Sequence, residues 1–275
     1  MADQEHATPE FTGVDAYGKF AREVRHGRRF AWTQEVTDFL HTVRATIRDR
    51  DRTVPTGFIL FRAQLGIEWD DIRDAEGNVI SDEPVGFGRS RMSPRKNLAS
   101  DGRANAAGVP VLYLASTEET AISEVRPWIG SAVSVAQFRT RRPLTALDLS
   151  VRHGKSSVPN LKYLLGEAVP DAATKEEAVW TAIDNAFSRP VTRSDDGGDY
   201  APTQVLADFF RAEGYDAIVY RSQFGELGFN IVLFDIEDAE PINCAPYKVT
   251  SIKVGFKEIG GRWFQSDPSG GEVVT

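Results

Sequence analysis

Three chemically complementary side chains, Arg103, Tyr113 and Glu124, fall within one short segment, Gly102 to Glu124. The planar fork of an arginine matches phosphate oxygens. A tyrosine ring can stack on a flat ligand and hold its geometry, and a carboxylate can stabilise positive charge that develops in a transition state. The local pattern assigns the three to different elements. Gly102 and Gly108 flank a turn that carries Arg103 and Asn105, and Val109 to Ala115 reads as a strand with Val109, Val111 and Tyr113 on one face. Ser116 followed by Glu119 makes an S-x-x-E capping box, so a helix is expected to start there and run until Pro127. Ala121, Ile122 and Val125 form its apolar face, and Glu124 falls beside that face, where a carboxylate is partly sheltered yet can reach a cleft. A loop arginine, a strand tyrosine and a helix glutamate can therefore converge.

The elements that must position them follow from the apolar spacing. Val36, Phe39, Leu40, Val43 and Ile47 give one helical stripe between Thr33 and Arg50, and Tyr17, Phe20, Ala21 and Val24 mark a helix before it. Residues 1–54 thus read as a helical extension, with the alternating-sign run Arg48 to Arg52 as a solvated helix end. From Gly57 the period shortens. Segments 57–64, 109–116, 131–138, 145–150, 216–222, 229–235 and 247–256 read as strands, a polar helical stretch covers about 160–188, and a further helix runs from Pro202 to Glu213 before Gly214. Strands and helices alternate without a βαβ rhythm, so the expected class is α+β.

Composition narrows the chemistry. The chain has 275 residues, 41% hydrophobic and 26% charged, enough for one large domain, and neither disordered nor fibrous overall. A formal net charge of −8 argues against a general nucleic-acid binder. Cys244 is alone and the four histidines are scattered, so neither a disulfide framework nor a zinc constellation is expected within the chain. No signal-peptide pattern opens it and its apolar runs are too short to span a bilayer, so a cytoplasmic location is expected. Gly154-Lys155-Ser156 lacks the P-loop glycine five residues before its Gly-Lys, where Leu149 stands, and there is no G-x-S-x-G, H-E-x-x-H or C-x-x-C.

The segment from Gly102 to Glu124, read as Gly-Arg-x-Asn, a Gly-x-Pro turn, an aliphatic strand bearing Tyr113 and a Thr-Ala-x-x-Glu helix, resembles the core signature of the RES domain family, the toxin half of bacterial RES/Xre toxin–antitoxin pairs. Three more blocks match in order: Phe61-Arg62-Ala63, then Asp199 to Gln204 with Gly214 to Ser222, then Gly228 to Phe234. The resemblance spans roughly residues 56–256. It implies an ADP-ribosyltransferase-like fold, a split β-core with surrounding helices, over 55–258, preceded by the helical extension and followed by a tail at 259–275. It also implies an enzyme that degrades NAD+ by cleaving the nicotinamide–ribose bond, an NAD glycohydrolase that halts growth. NAD+ would be substrate, with no prosthetic group and no metal. The implied partner is an Xre-like helix-turn-helix antitoxin, without direct contact to nucleic acid or membrane. The same resemblance leaves open an ADP-ribosyltransferase or NAD phosphorylase using one cleft, or a degenerate binding module.

The implied roles suit that chemistry. Nicotinamide leaves NAD+ as a neutral molecule, so no general acid is required, and one carboxylate can stabilise the oxocarbenium-like ribose. Glu124 is the catalytic candidate. Arg103 or Arg62 would hold the pyrophosphate, Tyr113 would stack on the nicotinamide or ribose, and Ser222 would offer a hydroxyl to either. Asn105, Thr120 and Asn230 are expected to be structural. Ala104 and Gln64 depart from the family pattern, where an aromatic and an arginine are common, and the N-terminal helices are additional, with expected roles in antitoxin docking or homo-oligomer formation.

Overall fold

The structure is a computed structural model that describes residues 9–27, 31–95, 98–151, 169–189, 198–224, 228–256 and 258–261. Residues 154–156, the start of the polar helical stretch at 160 and the tail from 262 lie outside the described residues. The chain runs through α1 (Ala16–His26), α2 (Gln34–Thr46), β1 (Asp51–Val54), β2 (Ile59–Leu65), β3 (Glu68–Arg73), β4 (Val79–Val85), α3 (Arg89–Met92), β5 (Leu112–Ala115), α4 (Glu118–Glu124), β6 (Ala132–Thr140) and β7 (Leu144–Asp148). It continues through α5 (Ala172–Ser188), α6 (Ala201–Ala212), β8 (Ala217–Arg221), β9 (Phe229–Leu233) and β10 (Ala239–Lys248). The α+β class is as expected. No described helix is long and apolar enough to cross a membrane.

Among the described residues eight strands form one sheet in the order β1-β7-β8-β9-β5-β2-β6-β10, and of these strands only β7 and β8 pair in parallel. The sheet is nearly two. β5 pairs with β2 at a single position, Phe61 opposite Ala115, whereas β2 pairs with β6 over seven residues and β5 with β9 over four. The five-stranded and three-stranded halves therefore splay apart at β5 and β2, the split that the sequence resemblance implied.

Packing follows the period of two. Along β8, Ala217 and Val219 face one apolar cluster and Ile218 and Tyr220 the other; along β9, Ile231 and Leu233 face the first and Val232 the second. Strands covered on both faces read as unbroken apolar runs, which is what segments 216–222 and 229–235 contain. The layer over the second face comprises α1, α2, α5 and α6, whose Phe20, Phe39, Val43, Trp180, Phe187 and Phe210 share one core with those strands. Residues 1–54 are thus integral where described, since Trp180 Nε1 donates to Thr46 Oγ1 at 3.1 Å and β1 pairs with β7.

Several boundaries differ from the sequence expectation. The run Arg48 to Arg52 is not a helix end: α2 stops at Thr46, and Asp51 enters strand β1. Residues 249–256 are not a strand. The last strand is β10, which pairs with β6 from Ala239 to Lys248 and ends where Lys248 meets Ala132, the first residue of β6. Pro241 and Pro246 hid it in the sequence, and they are tolerated because β10 is the sheet edge. The β3–β4 hairpin was also missed, because its strands have no buried face to impose an alternation.

Candidate active site

A cavity of about 250 Å3 opens at the split between β5 and β2. Phe61, Arg62 and Ala63 line it from β2, Tyr113, Leu114 and Ala115 from β5, Glu124 from the end of α4, and Tyr220 and Asn230 from β8 and β9. The strand ends, where backbone pairing runs out, leave room for side chains to meet there.

Glu124 is set by α4, and the cap of that helix is not the expected one. Thr117 is the N-cap, accepting from Thr120 N at 3.1 Å, while Ser116 Oγ accepts from Phe229 N at 3.0 Å and so ties the strand end to β9. The two threonine hydroxyls of the first turn also hydrogen-bond each other at 2.8 Å. Gly228 lets the helix approach β9: a Cβ there would lie 2.0 Å from Thr120 Oγ1. α4 ends at Glu124, three residues before Pro127.

The carboxylate of Glu124 is exposed to solvent at residue level, yet one of its oxygens is held firmly. Ser222 Oγ donates to Oε1 at 2.8 Å and Asn230 Nδ2 donates to the same atom at 2.6 Å. Ser222 Oγ in turn accepts from Phe224 N at 3.0 Å. Oε2 makes no hydrogen bond among the described residues. The β8–β9 register explains the convergence. Tyr220 lies directly opposite Asn230, Ser222 N donates to Gly228 O at 3.0 Å two positions further, and residues 220 and 222 share a face by alternation.

Asn230, expected to be structural, donates directly to the Glu124 carboxylate. The signal for it was in the sequence: a primary amide inside the apolar run Phe229 to Phe234 is costly to bury without a partner. Tyr220 was missed altogether. It is buried, and its hydroxyl pKa is pushed above the ordinary tyrosine value by burial and by the neighbouring Tyr113 and Glu124.

Tyr113 holds its own loop. Its hydroxyl donates to Asn105 Oδ1 at 2.8 Å and accepts from Ala104 N at 3.0 Å, and burial pushes its pKa up to about 12. Asn105 Nδ2 donates to the Ser100 and Ala106 carbonyls, and Gln204 from α6 donates to the carbonyls of Gly102 and Asn105. Gly102 is required because a Cβ would meet the Tyr113 hydroxyl at 2.4 Å. The ring edge and face of Tyr113, rather than its hydroxyl, are what it can offer a ligand.

The two arginines part company. Arg62 lines the Glu124 cavity and also a neighbouring cavity of about 330 Å3, bordered by Arg91, Arg95 and Ser93 and sharing Tyr113 as a wall. Its Nη1 is buried without a hydrogen-bond partner, and burial pulls its pKa below the ordinary arginine value. An unpartnered buried guanidinium is electrostatically poised for an anion. Arg103 is not among the residues that line the Glu124 cavity, although its charge is felt by Tyr113 and Tyr220, which do line it. It donates to the Phe187 carbonyl and lines a separate cavity of about 380 Å3 with Arg25, Asp199 and Tyr200. Among the described residues no group of acidic, histidine and cysteine side chains could hold a metal ion.

No curated protein sequence matches this chain. Among solved structures, a chain of the M. tuberculosis MbcT–MbcA toxin–antitoxin complex aligns over 74% of this chain and 90% of its own length, at 15% identity and a TM-score of 0.35. The RES domain family model matches residues 83–251, more than half of the chain, and that span contains Tyr113, Glu124, Ser222 and Asn230. The chain belongs to the RES domain family.

Proposed function

We propose that the protein is the toxin of a toxin–antitoxin pair and an NAD glycohydrolase of the cytoplasm, releasing nicotinamide and ADP-ribose and restrained by a helix-turn-helix antitoxin. The observation that supports this reading best is the state of Glu124, a carboxylate with Oε1 clamped by Ser222 and Asn230 and Oε2 free of partners among the described residues, in a cavity shared with the guanidinium of Arg62, whose Nη1 is buried. Membership of the RES family supports the toxin assignment.

In this reading the C–N glycosidic electrons leave with nicotinamide, which becomes neutral, and positive charge grows on the ribose. Glu124 stabilises that charge, and no acid is needed on the departing side. Water then adds to the ribose anomeric carbon and its surplus proton passes to solvent. Arg62 neutralises the pyrophosphate and Tyr113 packs against the nicotinamide ring. Ile122, two residues before Glu124, packs against the Ala63 and Val135 cluster and supplies no polar group to orient a macromolecular acceptor, which favours water.

Purified protein incubated with NAD+ is expected to release nicotinamide and ADP-ribose in equal amounts, and Glu124→Ala to release neither. Equal rates for the two proteins reject the reading, ADP-ribose 1″-phosphate as product would mark phosphorolysis, and label retained on macromolecules would mark transfer.

A further inference from the structure

The β3–β4 hairpin stands outside both the catalytic reading and, except for its last residues, the segment matched by the family model. It forms a separate two-stranded sheet, and every residue of β3 and all but the last of β4 are exposed. Between Glu68 and Val85 the chain carries seven carboxylates and a single cation, Arg73, a net −6 against −8 for the whole protein. The register sets like charges directly across from each other on both faces: Asp70 opposite Glu83, and Asp71 opposite Asp82. Such pairs repel and destabilise a hairpin that is marginal in any case. Among the described residues only Arg73, bonded to Asp71 at 2.6 Å, and Arg91, 3.5 Å from Glu68, offset the repulsion.

The same element exposes apolar surface. Trp69 is 60% exposed, Ile80 63% and Val79 52%. Trp69 faces Pro84, and Val79 faces Arg73, on the same side as the Asp71–Asp82 pair. The hairpin is nevertheless rooted firmly. Ser134, fully buried on β6, donates to Gly66 O at 2.8 Å before β3 and accepts from Phe87 N at 3.1 Å after β4, so one hydroxyl clamps both of its feet. A firmly based arm that combines repelling carboxylates with an exposed tryptophan is pre-organised for a ligand of opposite charge.

We propose that the β3–β4 arm docks the basic face of a partner protein, a surface of the kind that nucleic-acid-binding proteins present to phosphates. The partner's lysines and arginines relieve the two acidic pairs, and an apolar group on it covers Trp69. A bare metal ion is disfavoured because no described cluster of ligating side chains could hold one. The inference is independent of NAD+ cleavage.

The test uses the full chain and a fluorescent amphipathic peptide of alternating Arg, Lys and Leu, followed by anisotropy at roughly 0.15 M salt. The variant D70N/D71N/D82N/E83Q is expected to weaken binding by about tenfold or more. The control D15N/E35Q/D38N/E237Q removes equal charge elsewhere and is expected to change it little. Trp69→Ala, with all charges kept, is expected to weaken binding about threefold or more. Equal weakening by both quadruple variants overturns the proposal. So does spermine binding to the arm while Trp69→Ala leaves peptide affinity unchanged, which marks a simple polycation site. Thermal unfolding guards against misfolding: neutralising the pairs is expected to hold or raise Tm, and a lowered Tm would mean that the carboxylates serve the fold and overturns the docking role.

Discussion

Glu124 Oε1 accepts from two donors, and Oε2 has no hydrogen-bond partner among the described residues. In the proposed mechanism Ser222 and Asn230 would act through Glu124 as positioning residues. Ser222→Ala and Asn230→Ala are each expected to lower kcat for NAD+ cleavage by about 10- to 100-fold with a much smaller change in KM, since a misplaced reacting group costs rate more than affinity. Steady-state kinetics with nicotinamide detection separates the two parameters. Tyr113 has a different burden. Tyr113→Phe removes the acceptor for Ala104 N and the donor to Asn105, and is expected to cost about 1–3 kcal/mol in urea unfolding. The pH dependence has a definite sign. Because its folded-state pKa lies at about 12 against an ordinary 10, the folded protein keeps a proton that the unfolded chain loses. Its contribution is complete below pH 10 and is lost as pH rises toward 12, so the alkaline loss of stability should be shallower in Tyr113→Phe.

At the scale of elements, α4 and the ends of β8 and β9 meet at Glu124, and Gly228 is a second point of close approach. Gly228→Ala places a methyl group 2.0 Å from Thr120 Oγ1. The helix must shift, at a cost of about 1–3 kcal/mol, and Glu124 moves with it. The double variant Gly228→Ala/Thr120→Ala should recover part of both the stability and the activity, measured by thermal unfolding and nicotinamide release. No recovery would mean that Gly228 serves its own backbone instead. The helix itself was legible in the sequence, but its cap was not. Ser116 and Thr117 are equally good capping residues, and the choice fell to Thr117 because Ser116 is engaged by Phe229 N, a partner 113 positions away. The edge strand β10 and the hairpin arm were illegible for related reasons, one carrying prolines and the other lacking a buried face.

For the molecule as a whole, the helical extension and the sheet share one core. A protein lacking residues 1–50 loses Phe20, Phe39, Leu40 and Val43 from around Trp180 and Phe210. It also loses Arg50, whose guanidinium sits 4.2 Å from the Trp180 ring centroid. It is expected to unfold non-cooperatively or to aggregate, with the near-UV circular dichroism signal diminished and the dye-accessible apolar surface increased. A truncated chain that unfolds cooperatively with native spectra would show the helices to be dispensable.

Local pattern was enough to determine the α+β class, the strand and helix between 109 and 124, the elements at 201–234 and the candidacy of Arg103, Tyr113 and Glu124, because these rest on short-range periodicity and on residues close in the chain; Arg62 and Ser222 became candidates through the resemblance of ordered motifs to the RES family. Tertiary structure alone decided which of them meet. Long-range strand pairing placed Asn230 and Ser222 on one oxygen of Glu124 and opened the cleft at a single β2–β5 pair, and the Phe187 carbonyl engaged Arg103 at another cavity, since contacts between residues so far apart in the chain leave no trace in local spacing.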